Sequence, residues 1–169
     1  LGGHPQTHIL GESFSTVAPL LYGAYYAKIA VVPISPSLTA LTHQHVDFAD
    51  NPNGLRAAVK AYFAQNSGVW EVRVQLATDL EKMPIEDASV EWPEKLSPYL
   101  TVARIEVDAQ DAWASDNVEA IDDGMSFSPW HGLAAHRPLG GVMRVRKPAY
   151  EMSAGFRAEH NGCPMQEPR

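Results

Sequence analysis

The sequence is short of the features that mark several classes of protein. Cys163 is the single cysteine among 169 residues, which excludes an internal disulfide and a cysteine-ligated zinc site. No apolar run approaches the ~20 residues that a membrane-spanning helix needs. The 13 Lys and Arg residues are outnumbered by 20 Asp and Glu, and the net charge of −7 disfavours binding to nucleic acid or to an anionic membrane. Because a secretory leader is lacking as well, we expect a cytoplasmic protein.

What is present is an ordinary globular composition. Apolar residues make up 45% of the sequence and charged residues 20%, so the chain can bury the core of one domain. The chain starts at Leu1 without a methionine. We therefore expect it to be the C-terminal portion of a longer protein.

Three segments have the patterning of β-strands. Residues 22–33 are aromatic and β-branched, while residues 69–78 and 99–108 alternate between apolar and polar side chains. In the second segment the polar face carries Glu71, Arg73 and Gln75. In the third segment the residues expected to face inward are Leu100, Val102, Ile105 and Val107.

One helix with marked ends is predicted between the first two of these strands. Asn51 can cap a helix that starts at Pro52 and stops at residues 66–68. The connection 79–98 has no period, and an irregular connection of that length is usually functional or wraps another part of the protein. The acidic residues of this connection predict that it is an exposed arm. They are Glu86, Asp87, Glu91 and Glu94.

A cationic segment lies near the C-terminus of this acidic chain. Residues 137–157 contain five basic residues against Glu151 alone, a local charge of +4 that indicates a fixed anion nearby. The five basic residues are Arg137, Arg144, Arg146, Lys147 and Arg157.

Four residues of the C-terminal region share one stripe if the region is helical. Arg146, Tyr150, Arg157 and Asn161 are spaced so that they fall within ~60° of one another at ~100° per residue. A positive charge one turn from a tyrosine favours the phenolate, a hard anionic ligand that suits ferric iron. A second arginine two turns further on suits a carboxylate such as a haem propionate.

The same stretch resembles the haem-proximal region of the catalase superfamily. The matching pieces are Phe127-Ser128-Pro129, Arg146-x-x-x-Tyr150, Arg157 and Asn161, and upstream Trp70-x-x-x-x-Gln75-x-x-Thr78 and Val90-Glu91-Trp92-Pro93. Their order and spacing hold across residues 50–161. The sequences of 83–94 and 127–141 are most similar to small catalase-related haem peroxidases, a group that includes the allene oxide synthase type.

The resemblance implies an α+β fold, namely part of a catalase-like antiparallel β-barrel with a long wrapping arm and a C-terminal haem-proximal helix. Residues 1–169 would then be the C-terminal portion of a single haem domain. Strands and a helix would occupy 17–108, the wrapping arm 79–98 and 109–145, and the proximal helix 146–161.

The resemblance also implies a haem b cofactor and a peroxide-metabolising oxidoreductase. Tyr150 would be the axial iron ligand, and Arg146 would keep it ionised. Arg157 would pair with a propionate. Phe127 and Asn161 would complete the haem-binding residues.

The chain departs from classical catalases at two positions. Ala154 stands where they carry a histidine one turn after the tyrosine, and Pro148 requires the helix to begin near it or to kink. The family's distal histidine and asparagine belong to an N-terminal half that nothing here matches. A companion chain or segment is therefore expected to supply them, and we also expect an oligomer.

Three functions are compatible with these residues. The first is a catalase-related peroxidase that uses hydrogen peroxide. The same scaffold could instead act on an organic or lipid hydroperoxide, because the distal pocket decides between these substrates. The third is a haem-binding or structural protein without peroxide turnover.

Overall fold

The computed structural model describes residues 6–47, 51–113, 121 and 124–161, and these contain both helices and strands. The strands are β1 (Phe14–Ser15), β2 (Leu20–Tyr22), β3 (Tyr25–Pro33), β4 (Gly68–Leu76) and β5 (Leu100–Val107). The helices are α1 (Pro36–Thr39), α2 (Gly54–Phe63) and α3 (Gly140–Asn161), with 3-10 turns at Ile9–Gly11 and Ala134–His136. No helix in the described ranges has the length and apolar character needed to cross a bilayer.

The five strands form one antiparallel sheet in the order β1-β3-β4-β5, with β2 pairing to β3. The predicted combination of helices with antiparallel strands is therefore confirmed. The sheet is not closed within the described residues, so the barrel itself is not seen. The described strands are too few and too short to close a barrel. Small closed barrels have about eight strands, whereas this sheet has five, of which β1 has two residues and β2 has three.

The first predicted strand is divided by a tight turn. Tyr22 lies opposite Tyr25 in the hairpin of β2 and β3, and Gly23 in its loop has a φ of 63°. A two-residue hairpin loop needs such a left-handed residue, and glycine adopts it without a steric cost. The long strand β3 therefore begins at Tyr25, three residues after the predicted start.

The inward face predicted for the third strand is wrong. β5 lies at one end of the strand order, and Leu100, Val102 and Ile105 are 57%, 44% and 42% exposed. Within β5 Val107 alone is partly buried, and it packs against the core. Alternation places residues on one face of a strand, but a face is buried only where another element covers it.

Helix α2 begins at Gly54, later than predicted, because Asn51 starts a turn instead of a helix. The Asn51 carbonyl accepts a hydrogen bond of 2.9 Å from the Gly54 N–H. Its side-chain oxygen accepts a second one of 3.1 Å from the Asn53 N–H. Pro52 therefore lies in this turn and not in the first position of the helix.

The described residues group into two compact units. The first consists of the described residues within 1–15, 30–74 and 100–113, and the second of those within 16–29, 75–99 and 114–169. The core of the first unit consists of Leu38, Tyr62, Phe63 and Trp70. The Trp70 indole nitrogen is buried without a penalty because it donates to the Leu10 carbonyl at 3.3 Å.

A buried amide organises the second unit, although the strand pattern placed it on a polar face. Gln75 is 1% exposed, and its Nε2 donates to the carbonyls of Trp92 at 3.1 Å and Ser97 at 3.0 Å. Lys28 lies over the Trp92 ring, with Nζ 4.9 Å from the centroid, and burial lowers the pKa of its ammonium. Residues of β3 and β4 thereby fasten the connection 79–98, which we call the arm.

Candidate functional site

Helix α3 carries most of the predicted site and is longer than predicted. It begins at Gly140, six residues before the predicted start at 146, and it continues through Pro148 instead of beginning there. Gly140 has a φ of 86°, a left-handed conformation that favours glycine and lets the chain turn into the helix. Arg146, Tyr150 and Arg157 therefore lie within a long helix and not at its start.

The arginine and the tyrosine of the predicted stripe are in contact. Arg146 Nη2 donates a hydrogen bond of 2.8 Å to Tyr150 Oη, and the guanidinium carbon lies 5.3 Å from the centroid of the tyrosine ring. Residues four apart are neighbours on a helix surface, which explains why the spacing predicted this contact. Because arginine has donors only, the tyrosine oxygen is the acceptor and keeps a lone pair for another partner.

Trp130 also contacts Tyr150, and sequence reasoning did not assign it to the site. The two rings pack edge to face with their centroids 5.8 Å apart. Such a pair favours one orientation of the tyrosine ring. The position of Trp130 directly after the segment Phe127-Ser128-Pro129 was the one indication in the sequence that it belongs to the site. Its contact with Tyr150 could not be predicted, because the two residues are 20 positions apart in the sequence.

A cleft of about 350 Å³ opens beside Tyr150. Its lining consists of Ser126, Phe127, Ala149, Tyr150, Ser153, Ala154 and Arg157. The three small side chains of α3, at 149, 153 and 154, leave free space next to the phenol. Phe127 is 79% exposed, so the cleft has an apolar ring at its edge that the described residues do not cover.

Arg157 lines the same cleft about two helical turns beyond Tyr150, which corresponds to a rise of ~11 Å. Its Nη1 donates to the Met125 carbonyl at 3.4 Å. Asn161 is the last residue of α3, and its side chain lies outside the described part of the chain. The structure therefore brings four of the five predicted site residues together, namely Phe127, Arg146, Tyr150 and Arg157.

These residues fit a haem group. The phenol oxygen is a ligand type found on haem iron, the small side chains of α3 leave room for a flat ring, and Arg157 can pair with a carboxylate. No cluster of three or more His, Cys, Asp and Glu side chains suited to a metal ion occurs among the described residues. Of the side chains that line the cleft, Tyr150 is the one whose oxygen is a known type of haem-iron ligand.

Comparison with solved structures identifies the fold. A fungal catalase superposes with a TM-score of 0.64 at 16% identity, covering 86% of this chain and 30% of that chain. Catalase A from Saccharomyces cerevisiae gives a TM-score of 0.62 at 14% identity, covering 86% of this chain and 31% of that chain. No family model and no curated protein matches the sequence. The predicted resemblance is confirmed for the fold: this chain has a catalase-like fold and spans about 30% of the length of the catalases it matches.

Proposed function

We propose that this chain is the haem-proximal part of a catalase-related oxidoreductase that metabolises peroxides with haem b. The observation that carries the proposal is the 2.8 Å hydrogen bond from Arg146 to Tyr150, beside a cleft in a catalase-like fold. A fold alone does not define a function, so the proposal rests on the chemistry of these side chains.

Each of the five predicted site residues has a role in this proposal. Tyr150 would ligate the iron through its phenol oxygen, and Arg146 would favour the ionised form of that oxygen. Arg157 would bind a propionate, while Phe127 and Asn161 would contact the haem. The bound haem would supply the iron chemistry that cleaves a peroxide.

Two contacts orient the tyrosine before any ligand arrives. Arg146 holds the phenol oxygen, and Trp130 packs against the ring at a centroid distance of 5.8 Å. A ligating group held from two sides loses less freedom on binding, which favours a single direction of the iron–oxygen bond.

A companion chain or segment would supply the distal residues and the strands that close the barrel. The support for this is β5, which ends the strand order and exposes Leu100, Val102 and Ile105. Unpaired strand edges and exposed apolar faces favour association. The expected interface is extensive and apolar, like a domain core cut in two.

The test is an absorption spectrum after haem addition, followed by peroxide turnover. We expect residues 1–169 alone to be haem-poor or aggregated, and co-expression with the companion segment to restore haem and oxygen evolution from hydrogen peroxide. Consumption of a lipid hydroperoxide without oxygen evolution would assign the organic-hydroperoxide alternative. A complete protein that takes up no haem would contradict the proposal. A soluble monomer of 169 residues that binds haem and consumes peroxide would contradict the need for a companion.

Replacing Arg146 with Leu is expected to leave haem bound and to shift the ferric haem spectrum less than Tyr150→Phe does. The substitution removes the guanidinium that donates a hydrogen bond of 2.8 Å to the phenol oxygen, but it keeps the oxygen itself. The measurement is the ferric haem spectrum of the variant, recorded beside that of the parent.

Arg146→Lys keeps a positively charged donor and should shift the spectrum less than Arg146→Leu. Arg137→Leu removes another exposed arginine of the same cationic segment and should leave the spectrum unchanged. An Arg146→Leu spectrum that coincides with that of the parent would show that Arg146 has a different role.

A further inference from the structure

We propose that Glu86 on the arm is a positioning residue that fixes the start of α3 and thereby the place of Tyr150. The inference rests on the proposed function, because the position of Tyr150 matters for ligation. Glu86 does not line the cleft, so its effect must pass through the helix.

The contact between the arm and α3 is a bidentate ion pair. Glu86 Oε1 accepts from Arg144 Nη1 at 3.0 Å, and Oε2 accepts from Arg144 Nη2 at 2.7 Å. The Gly141 N–H also donates to this carboxylate. The hydrogen bonds from Arg144 are the main reason why the pKa of the Glu86 carboxyl is below its ordinary value. Bidentate geometry distinguishes this pair from ordinary surface ion pairs, which contribute little.

Close packing of the two backbones accompanies the ion pair. A Cβ added at Gly140 would lie 2.5 Å from the Ile85 carbonyl oxygen, a distance that no side chain can occupy. Glycine at this position therefore lets the first turn of α3 approach the residue before Glu86. The first turn is fixed by the backbone contact at Gly140, by the Gly141 N–H and by the Arg144 side chain.

Pro148 explains why α3 needs this external support. Proline has no N–H, so the Arg144 carbonyl lacks its hydrogen-bond partner four residues along the helix. The turns of α3 before Pro148 therefore have one backbone hydrogen bond fewer, and the contacts with the arm compensate for this loss. Arg144 and Tyr150 project ~120° apart around the helix axis, so Glu86 holds a face of α3 that the cleft does not use.

The experiment compares Glu86→Gln with Glu94→Gln in the full-length protein. Both variants remove one negative charge from the arm, but only Glu86 contacts Arg144. Without haem, we expect Glu86→Gln to lower amide hydrogen-exchange protection across residues 141–147 by about threefold, and Glu94→Gln to leave it unchanged. With haem, Glu86→Gln should shift the ferric spectrum towards that of Tyr150→Phe. The charge-swapped pair Glu86→Arg with Arg144→Glu should restore both readouts in part, because the ion pair returns but an arginine cannot accept the Gly141 N–H.

The two readouts separate this inference from the proposed function. If the parent protein takes up no haem, the proposed function fails, and hydrogen exchange alone decides whether Glu86 fixes α3. Unchanged exchange in Glu86→Gln would overturn the inference. A ferric spectrum that responds to Tyr150→Phe but not to Glu86→Gln would also overturn it, because the position of Tyr150 would then be independent of Glu86.

Discussion

Replacing Tyr150 with Phe is expected to abolish the ferric haem spectrum or to change it grossly. Phenylalanine keeps the ring that packs against Trp130 but removes the oxygen that accepts from Arg146. Since that oxygen is the ligand that the cleft offers to iron, axial ligation from this chain is lost. The measurement is the absorption spectrum of the variant after haem addition, recorded beside that of the parent.

Tyr25→Phe is the matched control, because it removes the hydroxyl of an exposed tyrosine in β3, away from the cleft lining. Its spectrum should equal that of the parent. For Tyr150→Phe we expect the ferric haem spectrum to be lost or replaced by a different one, and not merely to shift. A Tyr150→Phe variant with the parent's ferric spectrum would remove Tyr150 as the ligand and leave the proposed function without its central residue.

Replacing Gln75 with Leu is expected to destabilise the protein by roughly 2–5 kcal/mol. Leucine has a similar size but no donor, so the Trp92 and Ser97 carbonyls each lose a partner in a buried environment. An unsatisfied buried carbonyl costs about 1–3 kcal/mol. The measurement is urea unfolding of parent and variant, compared at their midpoints.

Gln110→Leu provides the control for this change. Gln110 is exposed, and its Nε2 bonds the nearby Asp108 carbonyl at 3.3 Å, so the substitution should cost little. Because Gln75 fastens the arm, we also expect its loss to weaken the contact of Glu86 with α3. An unfolding midpoint for Gln75→Leu that matches the Gln110→Leu midpoint would show that the two buried hydrogen bonds contribute nothing.

The parts of the site that the sequence predicts are local. The offset of four residues between Arg146 and Tyr150 is sufficient, because helix geometry alone brings such residues together. The alternating segments likewise give β4 and β5 to within two residues of their ends. Periodicity is informative at these places because the contact or the element lies within one stretch of chain.

The parts that were missed depend on contacts between distant residues. The strand pattern places Gln75 on a polar face, but the arm covers its side chain. The sequence predicts that Glu86 is a solvated acid, but Arg144, 58 residues away, binds its carboxylate. The exposed face of β5 is the converse case, since its pattern is apolar but no described element covers it. Alternation and charge patterns are properties of a single strand or segment. Burial depends in addition on which second element packs against that strand or segment.

Burial of Lys28 makes its amine a built-in probe for the attachment of the arm. The Trp92 ring covers Nζ at 4.9 Å, and the Val90 carbonyl accepts its hydrogen bond at 3.5 Å. An acylating reagent can reach exposed lysines such as Lys147 but is blocked at Lys28 while the arm stays in place. Covalent labelling read by mass spectrometry therefore counts the molecules in which the arm has lifted, without any added dye or cofactor.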